Sequence, residues 1–350
     1  MPRSLLLLAA LLPAALAGAV RWNDILQQPA AWYASAEAAA VATSVRAYQT
    51  PEGGWPKNRD MLAPPDAAFL AETKFDHRAP TLDNDATTTQ IELLARVAIA
   101  QADPASQAAV LPGLDYLLAA QYANGGWPQY YPLIKGYYTH ITFNDDTMAE
   151  VLGLLRAVAQ GAPRYAFVDE ARRARAAAAV ERGIACILRC QVRQAGRLTA
   201  WCAQHDETTF APAWARHFEP PSLSGSESVG LVKFLMGTEH PSPEIIAAVE
   251  GAVAWFKEVP VRGLRVEDFT GSDGRPDCRA VADPTAPPLW ARFYELGTNR
   301  PIFTGRDKII HYDFNLIERE RRTGYGYFGD WPAGLLAKDY PRWRAKNKLP

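Results

Sequence analysis

Apolar positions recur at helical spacing in three segments of the chain, and each segment runs into a stretch of turn-forming residues. The segments are AAWYASAEAAAVATSVRAY (30–48), LPGLDYLLAAQY (111–122) and VDEARRARAAAAVERGIACILRCQ (168–191). The first two give way to GGWPKN, residues Gly53 to Asn58, and GGWPQYYP, residues Gly125 to Pro132. Glycine and proline punctuate helix and strand alike, so these stretches are loops. The third segment ends before AGRLTAWCAQHDE. A glutamine marks each exit, Gln49, Gln121 and Gln191, at intervals of 72 and 70 residues. Trp55 and Trp127 lie six residues beyond the first two glutamines, and Trp201 lies ten beyond the third, as if four residues were inserted.

After each loop a second apolar-periodic segment opens on polar residues: DNDATTTQIELLARV, NDDTMAEVLGLLRAV and SGSESVGLVKFLMG. Asp85, Asp146 and Ser226 stand eight positions ahead of Leu93, Leu154 and Phe234, which aligns the three starts. The unit is helix, aromatic loop, helix. A hairpin of this kind cannot bury its apolar faces alone, so its copies stack or close into a ring. The pattern therefore predicts a mainly α fold, a short α/α toroid, in which the aromatic loops and the acidic starts of the second helices gather at one end. SPEIIAAVEGAVAWFKEV supplies a further helix, and the chain beyond it, VRGLRVEDFTGSDGRPDCRAVADPTAPPLW, reads as loop-rich.

The first residues, MPRSLLLLAALLPAALAGAV, have the layout of a secretory signal cleaved after about Ala17. The expectation is an exported protein, extracellular or periplasmic, with residues 18–350 forming one domain and no membrane span. A hydrophobic fraction of 48%, a charged fraction of 21% and a net charge of −1 suit an ordinary globular protein, and argue against a nucleic-acid binder held by a diffuse basic surface. Cys186, Cys190, Cys202 and Cys278 read as buried thiols or one disulfide ahead of a metal set, since no Cys-x-x-Cys or clustered histidine accompanies them. A monomer is the default expectation.

Asp83, Asn84 and Asp85, and likewise Asn144, Asp145 and Asp146, open second helices. One aspartate is enough for an N-cap. The surplus oxygens, converging with like charge on one mouth, call for a cation, and hard oxygen donors suit Ca²⁺. Trp55, Trp127, Tyr130 and Tyr131 are either packing residues or sugar platforms; their place in Gly/Pro loops at the predicted mouth favours a carbohydrate groove, with Trp127 and Tyr131 as its rings. Lys57, Arg216, Arg292 and Arg306 lie in irregular segments near the same mouth and form a candidate carboxylate-binding set. Acidic cation sites, aromatic platforms and arginines together fit a polyuronate bound through Ca²⁺. His205, His217 and His311 lack zinc spacing, and no Gly-x-Ser-x-Gly or phosphate loop occurs.

GGWPKN, DNDATTTQ, QYANGGWPQYYP, THITFNDDTM, PSLSGSESVG, WARFYELGTNRPIFTGRDK and GYGYFGDWP, in this order from about Trp22 to Trp343, resemble the catalytic domain of the family ten polysaccharide lyases, the pectate lyases. The resemblance implies endo-type, Ca²⁺-dependent β-elimination on polygalacturonate within a short α/α toroid. It implies calcium and substrate carboxylates at Asp83 and Asp145 with Asn84, Asp85 and Asp146 close by, and a catalytic base at Arg216. It further implies uronate-holding arginines at Arg292 and Arg306, with Lys57 as a further substrate contact. Two other readings stand beside it. One is a toroid glycoside hydrolase using an aspartate pair on a uronate-containing polysaccharide, and the other is a non-catalytic glycan-binding protein.

Overall fold

A computed structural model describes residues 20–349. The expected signal segment, residues 1–17, lies outside the described residues. Among the described residues, the longer α-helices are α1 (Ala36–Ala47), α2 (Thr88–Gln101), α3 (Pro104–Ala120), α4 (Thr147–Ala159), α5 (Glu170–Cys190), α6 (Glu227–Met236) and α7 (Pro243–Glu258). Each forms where the sequence places apolar residues at helical spacing, and each ends within a few residues of the expected limits. The fold is mainly α, as expected.

Two layers account for the packing. The second helices α2, α4 and α6 contact one another in sequence; the first helices α1, α3, α5 and α7 do the same, and α2 packs on α3, α4 on α5, and α6 on α7. This stacking of hairpins is that expected of an α/α toroid. The first helices are conventionally capped: Ser35, Asp103, Asp169 and Ser242 accept hydrogen bonds from backbone amides of their first turns. The residues before the second helices, Thr87, Asp146 and Ser226, make no such bond. The two kinds of helix start thus serve different purposes.

The repeat is maintained by the same bonds three times over. Trp55, Trp127 and Trp201 are fully buried. Their indole N–H groups donate to the carbonyls of Val45, Leu117 and Ile187 at 2.8, 2.8 and 2.7 Å. Each ring is thereby fastened to the helix that precedes its loop. The glutamines act between hairpins. Gln49 Nε2 donates to Gly53 O and to Ala109 O in α3. Gln121 reaches Gly125 O and Ala179 in α5, and Gln191 reaches Thr199 O and Ala248 in α7. Each glutamine ties its own loop to the first helix of the next hairpin. Gly125 sits at φ +93°, and a Cβ there would stand 2.1 Å from Arg182 O of α5, so only glycine lets the loop lie that close.

The four cysteines are buried free thiols, with no disulfide among the described residues. Part of the expected loop-rich end is instead a hairpin, β1 (Leu264–Thr270) paired antiparallel with β2 (Pro276–Ala282), with Leu264 opposite Ala282 and Thr270 opposite Pro276. A second, smaller apolar cluster gathers Phe293, Ile302, Phe303, Phe314, Ile317 and Tyr327 beneath it. Among the described residues no helix is long and apolar enough to cross a membrane.

His205 lies in a two-residue strand paired with Ile141–Thr142. It is fully buried, with Nδ1 on Phe210 O at 2.8 Å and Nε2 accepting from the Cys202 amide at 3.1 Å. Both nitrogens are used by the neutral ring, and burial pushes its pKa down to about 4. In the unfolded chain a histidine protonates near 6.5. At this group the folded state therefore binds fewer protons, and the contribution of His205 to stability is complete above about pH 6.5 and is lost as pH falls towards 4, about 3 kcal/mol in all. One histidine is expected to remain neutral by NMR down to about pH 4.

Candidate active site

The loops and second-helix starts of all three hairpins meet in one cluster of charge. Asp83 is buried, and its Oδ2 is paired with Lys57 Nζ, which also lies 5.4 Å from the centre of the Tyr130 ring. Its other oxygen, Oδ1, is buried without a hydrogen-bond partner. Asn84 donates to Asn58 Oδ1 at 2.8 Å. In the second hairpin Asn144 Nδ2 donates to Asp145 Oδ2 at 2.5 Å, while Asn144 Oδ1 is again a buried acceptor without a partner. Asp145 Oδ1 takes a 3.0 Å bond from Arg292 Nη2. Arg292 bonds simultaneously to Glu227, at the start of α6, through Nε at 2.8 Å and through Nη2.

The aspartates are not caps. Asn84, Asp85, Thr87, Asp145 and Asp146 all adopt positive φ, between 49° and 69°. Asparagine and aspartate tolerate this region, whereas the β-branched Thr87 there is a strained outlier. Charge repulsion is visible in the carboxyl groups. Burial, followed by Glu227, Asp145 and Asp85, pushes Asp146 up to about 6. Burial and then Asp85 and Asp146 push Glu150 up to about 8. Asp145 is raised by burial and by Glu227 and Asp83, against the pull of Arg292. A pocket of about 480 Å³ opens beside the cluster, lined among others by Lys57, Asn84, Asp85 and Glu150.

Arg216 stands at the edge of this group. It forms a fork on the buried Glu219, with Nε to Oε2 at 2.8 Å and Nη2 to Oε1 at 2.6 Å, and Tyr325 OH donates to the same Oε1 at 2.9 Å. The Tyr325 ring lies between two guanidiniums, 4.7 Å from that of Arg292 and 5.6 Å from that of Arg216. Burial acts to lower the pKa of Arg216, but the Glu219 carboxylate outweighs it and holds the guanidinium above its ordinary range. Arg306 lies on the adjoining segment, exposed and forked on Glu320 at 2.9 Å through both nitrogens; its backbone carbonyl contacts His217.

One expected residue is not part of the site. Trp127 is not a sugar platform: its ring is wholly enclosed and its N–H is used inside the core. Tyr131, the other expected ring, is half-buried: it packs edge-on against Tyr116 at 5.9 Å and donates its backbone N–H to the Tyr116 hydroxyl. Conversely, Glu227, Glu219, Glu150 and Tyr325 belong to the charged network and were not singled out from sequence. Glu227 had a signal, since it follows Ser226, the position aligned with Asp85 and Asp146. Tyr325 lies within the GYGYFGDWP motif, and Glu219 had no signal. A separate group, His140, Asp206 and Glu207, brings its ligand atoms within 4.8 Å of one another. Its groups are engaged locally: His140 with Glu207 at 3.0 Å, and Asp206 with the amides of Thr208 and Thr209.

A family model described as pectic acid lyase matches residues 49–336. The chain belongs to the pectic acid lyase family. Comparison of the fold with solved structures agrees. A family 10 polysaccharide lyase from Cellvibrio cellulosa superposes with a TM-score of 0.77 at 33% identity, covering 94% of this chain and 95% of that one. A mutant of the family 10 polysaccharide lyase from the same organism, in complex with trigalacturonic acid, gives 0.76 at 34% identity, with coverage of 92% and 98%. Comparison with curated protein sequences returned no match. The enzyme is a polysaccharide lyase with pectate lyase function, and the charged cluster is its candidate active site.

Proposed function

We propose that this pectate lyase cleaves polygalacturonate internally by Ca²⁺-assisted β-elimination in the cluster formed by Lys57, Asp83, Asp145, Arg216 and Arg292. The observation that carries the calcium reading is the pair of buried, unpartnered acceptors, Asp83 Oδ1 and Asn144 Oδ1, set among carboxyl groups whose pKa values are raised by burial and, after it, by one another. Such a set of hard oxygen donors fits Ca²⁺. Asp83, Asp85, Asp145 and Asp146, no three of which bring oxygens within 4.8 Å of one another, would turn onto the ion, which when bound supplies Lewis-acid stabilisation to a uronate carboxylate.

The chain's own residues account for the remaining chemistry. Lysine and arginine side chains on one side of the cluster bind and orient the substrate carboxylate. The C5 proton passes to a base, Arg216 in its neutral form or, where Arg216 serves as a charged donor, hydroxide from solvent; negative charge spreads onto the carboxylate, and the electron pair forms the C4–C5 double bond while the C4–O bond breaks. The departing oxygen takes up a proton, and the new chain end is a 4,5-unsaturated galacturonide. Arginine donors aimed at the carboxylate stabilise this charge as it develops. The Glu219 fork holds Arg216 as a cation, which suits it as such a donor; to accept the C5 proton it must first lose one, and Nη1, which takes no part in the fork on Glu219, is the nitrogen that can do so.

Ultraviolet absorbance tests the reading, because the unsaturated product absorbs and a hydrolysis product does not. Absorbance is expected to rise on polygalacturonate and to stop rising on chelation; new reducing ends without absorbance would mean hydrolysis. The placement of Asp146 gives a more selective check. A Cβ on Gly230 of α6 would stand 2.0 Å from Asp146 Oδ1, so Gly230→Ala displaces that carboxylate while leaving a helix that favours alanine. The Ca²⁺ concentration for half-maximal activity is expected to rise about tenfold, with an unchanged circular dichroism spectrum. Export from the cell by the N-terminal segment and a monomeric state complete the proposal; size-exclusion chromatography and analysis of the secreted fraction test them.

A further inference from the structure

A second pocket, of about 540 Å³, opens from Arg216 and is lined by Tyr137, Trp214, His217, Arg306 and Lys308 among others. Its lining carries cations and no carboxylate. Trp214 stands out here. With a relative exposure of 37%, it is the one tryptophan among the large hydrophobic side chains left open to solvent in the described residues. It also lies two positions before Arg216. The indoles that shape the fold, those of Trp55, Trp127 and Trp201, are fully buried and spend their N–H groups on helix carbonyls. Leaving a large aromatic ring in water is unfavourable, and here it lies beside the reacting centre. Lys308 Nζ stands 5.8 Å from the centre of the Trp214 ring. The pocket thus presents an amphipathic flat ring with a cation at its edge, next to a residue of the proposed reacting centre.

We propose that Trp214 and Lys308 form a distal uronate subsite that lengthens the binding groove on the Arg216 side. The C–H face of a uronate ring lies on the indole, and its carboxylate meets the Lys308 ammonium. A neutral pyranose would satisfy only the ring, so the subsite selects an unesterified residue. This inference rests on the lyase reading above, to which it adds a specificity determinant remote from the bond that breaks.

The test compares wild type with Trp214→Ala and Lys308→Ala on reducing-end-labelled hexagalacturonate, following absorbance and the position of cleavage. Both variants are expected to raise KM about tenfold with kcat within about twofold of wild type, and to shift the preferred cleavage position. Trp214→Phe and Lys308→Arg are expected to restore most of the affinity, which a merely structural role would not produce. KM values within about twofold of wild type in either alanine variant, or a loss confined to kcat, would overturn the subsite. A wild-type enzyme that yields no unsaturated product from the hexamer would instead overturn the lyase reading, and the subsite with it.

Discussion

Replacing Arg216 by alanine is expected to lower kcat on polygalacturonate by about 10²–10³-fold, the cost typical of deleting one donor that acts on developing charge. The fork on Glu219 fixes both the position and the charge of this guanidinium. Arg216→Lys keeps a cation but loses the planar fork, so it is expected to recover little of the rate. Glu219→Gln separates the two possible roles. Glutamine cannot hold the guanidinium protonated as a carboxylate does, so the Arg216 pKa falls. Were neutral Arg216 the base, the rise of activity with pH would begin earlier and the rate at a fixed alkaline pH would increase. For a charged donor the variant only loosens the guanidinium, and kcat is expected to fall by up to about 10²-fold with no such displacement of the pH profile. Measuring kcat against pH for wild type and Glu219→Gln decides between them.

Trp127→Ala is expected to destabilise the fold by about 3–5 kcal/mol, the usual consequence of emptying a buried tryptophan site. The ring is fully enclosed, and the Leu117 carbonyl loses its donor along with it. Urea denaturation followed by circular dichroism measures the loss. Because the ring has no face on the groove, KM for polygalacturonate per folded molecule is expected to remain that of wild type. A raised KM at wild-type stability would return Trp127 to the substrate groove.

Trp127 also shows where reading from sequence reaches its limit. The repeat could be found because periodicity is written in residue types: the glutamines at the loop exits and the three acidic or polar helix starts recur at measurable intervals. Ring orientation is not written that way. An indole in a Gly/Pro loop has the composition of a sugar platform whether it faces outward or inward. A further regularity was present, since Trp55 and Trp127 each bond to the residue ten positions earlier. An inward-facing tryptophan explains that regularity, and a ligand platform does not require it. The same asymmetry holds for charge. The acidic triplets and Lys57, Arg216 and Arg292 were legible because they are unusual in their settings. The state of Arg216 depends on Glu219 and Tyr325, residues whose relation to it exists only in the folded chain. The β1–β2 hairpin was read as loop because its turn, GSDG, was more conspicuous than the alternation on either side.

The three glutamine ties give the active end of the molecule a collective character. Each loop is anchored partly by a helix belonging to the following hairpin. No single hairpin carries the information for its own loop, and a loop grafted with only its flanking helices would lose half of the bonds made by its glutamine. The array is therefore modular in sequence but indivisible in shape. Changes in length are tolerated within the loops themselves, as the four extra residues before Trp201 show, provided the glutamine keeps both of its ties.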